Sequence, residues 1–296
     1  MEKAAVIDVG TNSTIMLVAG LGLDGLKRDF EMSLEPRLGQ GLHDTGRLSR
    51  EAVERTIAAC RELITRSGFT GQVIGTGTQA LRAAENRDVF LDMWERDFHS
   101  PFYLLSQPEE AAFAYRGAVG GLELPDEHVL IDVGGGSTEM ISPNGFSGLE
   151  IGAVTLTERF GLEPPIVKDL YDKAFSYVRG LVDNPLKVST VVGVGGTAST
   201  LAAVSLGLRD FDAERVHGSI IRYADFTKLA DRMRQLSIPE LRALMPFAPN
   251  RSEIINAGLL IYRALIPKGA DMIISQRGLR WGVCDAVLRG DKIASA

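Results

Sequence analysis

Two short stretches carry most of the chemistry that this sequence offers. Asp8-Val9-Gly10-Thr11-Asn12-Ser13-Thr14 returns as Asp132-Val133-Gly134-Gly135-Gly136-Ser137-Thr138, matching at five of seven positions, each copy behind an apolar run (Ala4 to Ile7, Val129 to Ile131). An acid at the end of a buried strand, followed by a turn of Gly, Ser, Thr and Asn, presents backbone N–H groups and hydroxyls that suit phosphate oxygens. One such turn reads equally well as a plain hairpin whose hydroxyls satisfy the backbone. Two copies, 124 residues apart, point instead to a pair of phosphate loops that grip one anionic chain from both sides. Asp8 and Asp132 beside phosphate are unfavourable without a cation, and a hard divalent ion, Mg²⁺ (or Mn²⁺), answers that need.

Further residues complete the set. Gly193-Val194-Gly195-Gly196-Thr197 is a third glycine turn between an apolar run and a hydroxyl-rich helix start, open either to an anion contact or to close helix–strand packing. It lacks the spacing of the dinucleotide fingerprint and the Gly-Lys-Ser/Thr of a P-loop. In Ser106-Gln107-Pro108-Glu109-Glu110-Ala111, Ser106 and Glu109 form a capping box with Pro in the first turn. That accounts for Glu109 and leaves Glu110 open, either as a first-turn acid favoured by the helix dipole or as a general base on water. Arg37, Arg82, Arg251 and Arg280 stand in turn or helix-edge contexts where a guanidinium fork can hold phosphate oxygens; solvated surface arginines are the plain alternative. The four histidines have no ligand spacing, and there is no nucleophile elbow or Cys–His signature.

These groups need a frame. The 296 residues suggest two domains. A hydrophobic share of 45% and a charged share of 24% are those of a globular protein with a sizeable core. Strands are expected at 4–9, 15–23 and 26–36, with a turn at Asp24-Gly25; a helix from a Ser49 cap to Gly68; a strand at 72–75; helices at 78–84 and 87–98; a strand at 102–105; and a helix at 108–119. After a linker at 120–128 the order recurs: strands at 129–133, 138–142 and 146–151 around a turn at Pro143-Asn144-Gly145, helices near 154–160 and 168–182, a strand at 188–194 and a helix at 198–206. Helices at 225–236, 239–244 and 251–266, a strand at 272–275 and a helix at 278–289 finish the chain. The expectation is two similar α/β domains, 1–123 and 124–296, with a cleft between them and the last helix, near 284–296, free to pack back on the first.

A net charge of −6 argues against a broad nucleic-acid surface. No leader and no apolar stretch of about 18 residues is evident, so a cytoplasmic protein without a membrane span is expected. Cys60 and Cys284 read as buried free thiols.

Taken together, the motifs resemble the exopolyphosphatase and guanosine pentaphosphate phosphohydrolase (Ppx/GppA) family, of the actin and sugar-kinase superfold with its paired actin-like, ribonuclease-H-like domains. The carriers are Ala5-Val6-Ile7-Asp8-Val9-Gly10-Thr11-Asn12-Ser13, Gly77-Thr78-Gln79-Ala80-Leu81-Arg82-Ala83-Ala84-Glu85-Asn86, Ser106 to Ala111, Ile131 to Glu139 and Gly193 to Thr197. The resemblance implies Glu110 as catalytic base, Arg82 on substrate phosphate, and Asp132, Gly134 to Ser137 and Glu139 on phosphate and metal. It implies release of the terminal phosphate of inorganic polyphosphate or guanosine pentaphosphate by Mg-assisted in-line attack of water. Alternatives are an ATP-dependent kinase or ATPase of the same superfold, and a non-catalytic sensor of such anions; a homodimer is one option for assembly. The chain departs from the family pattern at Thr11 (usually Ser), at Trp281 (usually an acid) and at Asn250-Arg251-Ser252-Glu253. It also ends where long members add a helical domain, so it looks like the short, two-domain form.

Overall fold

The computed structural model describes residues 2–23, 25–143, 145–182 and 185–293. The chain divides into two compact units, residues 1–121 with 277–296, and residues 122–276. The second unit therefore ends at Gln276 and not at Ala296.

The first unit opens with β1 (Lys3–Val9), β2 (Thr14–Gly22) and β3 (Gly25–Leu34), followed by α1 (Leu42–Thr45), α2 (Arg50–Ser67), β4 (Val73–Gly77), α3 (Gln79–Ala83), α4 (Asp88–Phe98), β5 (Phe102–Leu104) and α5 (Gln107–Val119). The sheet order is β3-β2-β1-β4-β5, antiparallel through β3, β2 and β1 and parallel from β1 to β5. The second unit runs β6 (His128–Val133), β7 (Thr138–Ser142), β8 (Gly145–Leu149), α6 (Ala153–Phe160), α7 (Lys168–Gly180), β9 (Thr190–Val194), α8 (Gly195–Ser205), α9 (Ala213–Val216), β10 (Ile220–Ile221), α10 (Tyr223–Arg234), α11 (Ile238–Leu244), α12 (Ile255–Leu265) and β11 (Asp271–Ile274). Its sheet, β8-β7-β6-β9-β11-β10, repeats the first in order and sense and adds β10 at the edge. The sequence repeat is thus a repeat of topology. Asp24 and Asn144, placed in turns on sequence grounds, lie outside the described residues; Gly25 and Gly145 beside them have φ of 105° and 148°, which only glycine adopts readily.

Local signals explain the elements. Ser49 caps α2 by accepting from the Ala52 N–H, and Gly68 ends it at φ 62°. Its apolar face (Ala52, Val53, Ile57, Cys60, Leu63) is buried. Ile7, Val9, Met16 and Val18 join that core from the sheet. On the other side of β1 and β2, Ala4, Val6, Leu17 and Ala19 meet Trp281, Val283 and Cys284 of α13 (Leu279–Leu288), which is why the C-terminal segment belongs to the first unit. Gly117 of α5 and Gly282 of α13 set that helix contact, since a Cβ on either would fall 2.0 Å from the Gly278 carbonyl oxygen or 1.9 Å from that of Phe113. Both cysteines are buried free thiols, pushed by desolvation to pKa values of about 12.

The helix expected at 251–266 begins later, at Ile255, after a 3-10 turn over Pro249–Glu253 and a break at Ile254, whose φ and ψ are −120° and −13°. The short α1, α9 and β10 lack the length to show a period. Among the described residues no helix is long and apolar enough to cross a membrane.

Candidate active site

In the first unit the turn between β1 and β2 is closed by the Gly10 N–H donating to the Ser13 carbonyl at 3.0 Å. Thr11 and Asn12 are exposed. Their carbonyls accept from Gly39 (2.8 Å) and Arg37 (3.0 Å), so the segment carrying Arg37 straps the turn from one side. Gly39 permits this closeness, because a Cβ there would sit 2.3 Å from the Thr11 Cγ2. Arg37 is exposed and held at φ 55°, a left-handed conformation that costs a non-glycine residue about 1 kcal/mol or more. The N–H groups of Thr11 and Asn12 have no backbone partner among the described residues, as an anion loop requires.

The same unit brings Glu110 and Arg82 together. Glu110 stands in the first turn of α5, whose start is fixed by the capping box: Glu109 Oε2 accepts from the Ser106 N–H at 2.8 Å and from its hydroxyl at 2.6 Å. Arg82, in the last turn of α3, donates through Nη1 to Glu110 Oε2 and to the Leu105 carbonyl, both at 2.7 Å. Both side chains keep access to solvent, at 22% and 33% exposure for Arg82 and Glu110. Glu110 Oε1 is left as a further acceptor.

Asp8, near the end of β1, belongs to the same unit. Its Oδ1 is buried with no hydrogen-bond partner among the described residues. Desolvation pushes its pKa from 3.8 to about 7, opposed by the positive charge of Arg280 and reinforced by the negative charge of Glu110. Arg280, considered above for phosphate, is instead engaged by Glu31 of β3, to which its Nε donates at 2.5 Å. Trp281 is 5% exposed and donates to the same Glu31 at 3.4 Å. Glu31 thus joins both Arg280 and Trp281 to β3. No sequence signal marked it, because it sits in an ordinary alternating strand.

In the second unit Gly134 donates to the Ser137 carbonyl at 3.0 Å, the same closure as in the first. Here a helix does the strapping: the Ala153 and Val154 N–H groups of α6 donate to the Gly134 and Gly135 carbonyls at 2.9 and 2.8 Å. Gly152 is required beneath, since a Cβ would meet the Gly135 carbonyl at 2.5 Å. Asp132 and Glu139 are direct cross-strand partners, an arrangement that costs free energy unless a cation or a donor offsets it. The Ser137 hydroxyl donates to Glu139 Oε1 at 2.6 Å.

The third glycine turn joins this group. Gly195, at φ 81°, approaches Asp132 so closely that a Cβ would lie 2.6 Å from its Oδ1, and a Cβ on Gly196 would collide with the Arg251 guanidinium at 1.9 Å. Asp132, Arg251 and the start of α8 are therefore packed together. Thr197, expected to touch phosphate, is 2% exposed; its hydroxyl faces Gly258 of α12, so the side chain belongs to the core. Ser199, one turn on, donates to the Gly195 carbonyl at 2.8 Å and accepts from Gln276 Nε2 at 2.6 Å. The Gln276 N–H in turn meets His217 Nδ1 at 3.3 Å, tying the His217 loop to this turn. Tyr262 places its hydroxyl within 2.9 and 2.8 Å of the Ile131 and Val194 carbonyls, bracing the ends of β6 and β9.

The three carboxylates considered for metal are divided between the units, Asp8 in the first, Asp132 and Glu139 in the second. Among the described residues no three His, Cys, Asp or Glu side chains converge on one point. The donor set still fits Mg²⁺ or Mn²⁺: every candidate is a carboxylate, one is a buried oxygen with no donor, and Mg²⁺ commonly takes one or two carboxylates and completes its shell with water and phosphate.

Comparison with known proteins adds four findings. Residues 30–289 match the model of the Ppx/GppA phosphatase family. Exopolyphosphatase 2 of Mycobacterium tuberculosis is 32% identical over 289 residues, covering 90% of each chain. The guanosine-5'-triphosphate,3'-diphosphate pyrophosphatase of Vibrio parahaemolyticus is 28% identical over 286 residues, covering 92% of this chain and 54% of that protein. Among solved structures, the type II variant of the Aquifex aeolicus Ppx/GppA phosphatase superposes with a TM-score of 0.86 at 28% identity, covering 97% of this chain and 99% of that one.

Proposed function

The chain belongs to the Ppx/GppA phosphatase family, and on that premise we propose that it releases the terminal phosphate of inorganic polyphosphate or guanosine pentaphosphate by in-line attack of water. The observation that carries this reading is the pairing of Glu110 with Arg82 at 2.7 Å, in the same unit as a glycine turn whose Thr11 and Asn12 N–H groups have no backbone partner among the described residues. A phosphoryl oxygen can compete for the Arg82 guanidinium in a fork, as carboxylate does now. Glu110 then keeps both oxygens for water. As the water oxygen bonds to phosphorus, Glu110 takes its proton, the bond to the bridging oxygen breaks, and the shortened chain leaves with the electron pair. Such transition states are loose, so positioning and charge stabilisation supply most of the acceleration.

In this reading the first unit holds phosphoryl groups through the N–H groups and hydroxyls of Gly10 to Ser13 and through Arg82 and Arg37, and the second unit offers Gly134 to Ser137 and the backbone at Gly195 and Gly196. Asp8 in the first unit, and Asp132 with Glu139 in the second, are each candidates to hold Mg²⁺ or Mn²⁺, whose chemistry would be to neutralise phosphate charge. Asp8 is supported by its unpartnered buried oxygen, and Asp132 and Glu139 by their cross-strand juxtaposition.

The test is orthophosphate release in the presence of Mg²⁺ from short polyphosphate, long polyphosphate, guanosine pentaphosphate and ATP, side by side. Turnover of one of the first three above ATP is expected. Transfer of the ATP γ-phosphoryl group to an acceptor would turn the assignment toward a kinase; tight binding without release would make the chain a sensor.

A further inference from the structure

One cavity of the first unit lies among residues that the hydrolytic reading leaves unused. It measures about 120 Å³, and its wall carries three guanidinium groups, Arg116, Arg277 and Arg289, against a single lining carboxylate, Asp285. Gly25, Gly117, Gly120 and Gly121 form much of the remainder, so no side chain fills the space from that side. The chain leaves the unit after Gly121 and re-enters at Arg277, which puts both crossings in the cavity wall.

The guanidinium groups are fixed before any ligand arrives. Arg116 donates through Nε to Asp285 Oδ2 and through Nη1 to Asp291 Oδ2, both at 2.7 Å. Arg289 donates through Nε to Asp285 Oδ1 at 2.9 Å. Arg277 lies 4.3 Å over the Trp281 ring and donates to the Gly120 carbonyl at 2.8 Å, held by cation–π attraction and a hydrogen bond together. Asp285 is thus shared by two cations. Each arginine has five N–H donors; among the described residues Arg289 directs one at a carboxylate and Arg116 two.

We propose that this cavity is a binding site for a single phosphate group, separate from the Arg82–Glu110 pair. Preset guanidinium forks with donors to spare match a tetrahedral oxyanion. The volume suits one such group and falls below the ~300 Å³ at which sites begin to bury whole small molecules. Trp281 has a role here as well, as the aromatic wall over which the Arg277 guanidinium lies. The proposal stands on residues outside the hydrolytic site, so it holds or fails independently of the substrate assignment.

The test uses the full chain labelled with 5-fluorotryptophan. Its two tryptophans, Trp94 and Trp281, give two fluorine resonances, assigned with Trp94→Phe, and orthophosphate is titrated at constant ionic strength. A saturable shift of the Trp281 resonance is expected. It should survive Arg82→Ala and weaken by about tenfold or more in Arg289→Glu, as for loss of a charge-assisted contact. Arg289 is half exposed, so folding should be retained, and an unchanged Tm confirms it. A Trp281 resonance that never moves, a shift that survives Arg289→Glu, or one that disappears with Arg82→Ala would each overturn the site. Acetate shifting the resonance where phosphate does not would overturn the phosphate assignment.

Discussion

The two hairpin turns share a sequence and a closure but not an environment. In each, the first glycine donates to the carbonyl of the serine three residues on, at 3.0 Å. Around the second turn the polar groups are largely satisfied: Thr138 donates to the Ile151 carbonyl at 2.7 Å, Ser137 to Glu139, and α6 covers the turn carbonyls. Around the first turn Asp8 Oδ1 and Thr14 Oγ1 are buried with no partner among the described residues, and Arg37 is bent into the left-handed region. In the second copy the Ser137 and Thr138 hydroxyls are thus engaged. The other retains unfavourable features of the kind that collect where ligands bind, and it is the one whose unit holds Glu110 and Arg82.

The strongest test of that asymmetry is Glu110→Gln. Losing a general base should cost about 10²–10⁴ in kcat with KM little changed, because Arg82 and the turn still hold phosphate. Turnover within about threefold of wild type, a change under ~1 kcal/mol, would break the assignment. Glu139→Gln, the acid of the quieter hairpin, should lower turnover less and raise the Mg²⁺ concentration needed for half-maximal rate.

Asp8 provides the next largest effect. In the folded chain Asp8 keeps its proton up to about pH 7, whereas an ordinary aspartate loses it near 3.8. Between those values the native state binds more proton than the unfolded chain, so stability falls as pH rises and the full penalty is present above about pH 7. A shift of this size corresponds to a few kcal/mol, at most about 4. Without divalent cations, Tm should fall from pH 4 toward pH 7 and above, Asp8→Asn should flatten that fall, and Mg²⁺ should lessen it in wild type alone. A slope in Asp8→Asn as steep as the wild-type one would mean that another group is responsible.

Much of this was legible in the sequence, for identifiable reasons. Apolar runs ending in Asp8 and Asp132, the Ser49 and Ser106 caps, and glycines at helix ends are local signals, and they located strands, helices and the repeat. For Glu110 the local signal was incomplete: the capping box accounts for Glu109 and leaves Glu110 open, and only the family resemblance implies a role as base. What stayed hidden depends on contacts between distant segments. Glu31 engages Arg280 from a strand some 250 positions away, Thr197 turns into the core because Gly258 makes room, and Gln276 ties the third glycine turn to His217. The C-terminal helix joins the first unit through Gly117 and Gly282, a pairing of small residues that no local pattern reveals.

Isosteric substitutions sharpen the comparison at a smaller scale. Thr138→Val leaves the Ile151 carbonyl buried without a donor and should destabilise by about 1–3 kcal/mol. Thr14→Val removes a hydroxyl that has no partner, so stability should stay level or rise by up to ~1 kcal/mol. Chemical denaturation measures both. Equal losses would mean that the first threonine is satisfied in solution and that the two hairpins are alike.

The smallest effect is expected at Arg37, where strain and function can be separated. The strap over the second turn uses Gly152, in extended backbone at φ −136°, so no strain is held there. Arg37→Gly relieves the left-handed conformation but makes the unfolded chain more flexible, and the two effects leave a net gain of less than ~1 kcal/mol. The same change removes a guanidinium from the edge of the phosphate turn, so KM should rise a few-fold with kcat nearly constant. Arg37→Lys keeps both the strain and the charge but loses the fork; its stability should match wild type while KM rises less. A glycine variant that is more stable and binds substrate as well as wild type would separate the strain from phosphate binding and leave Arg82 as the arginine that matters.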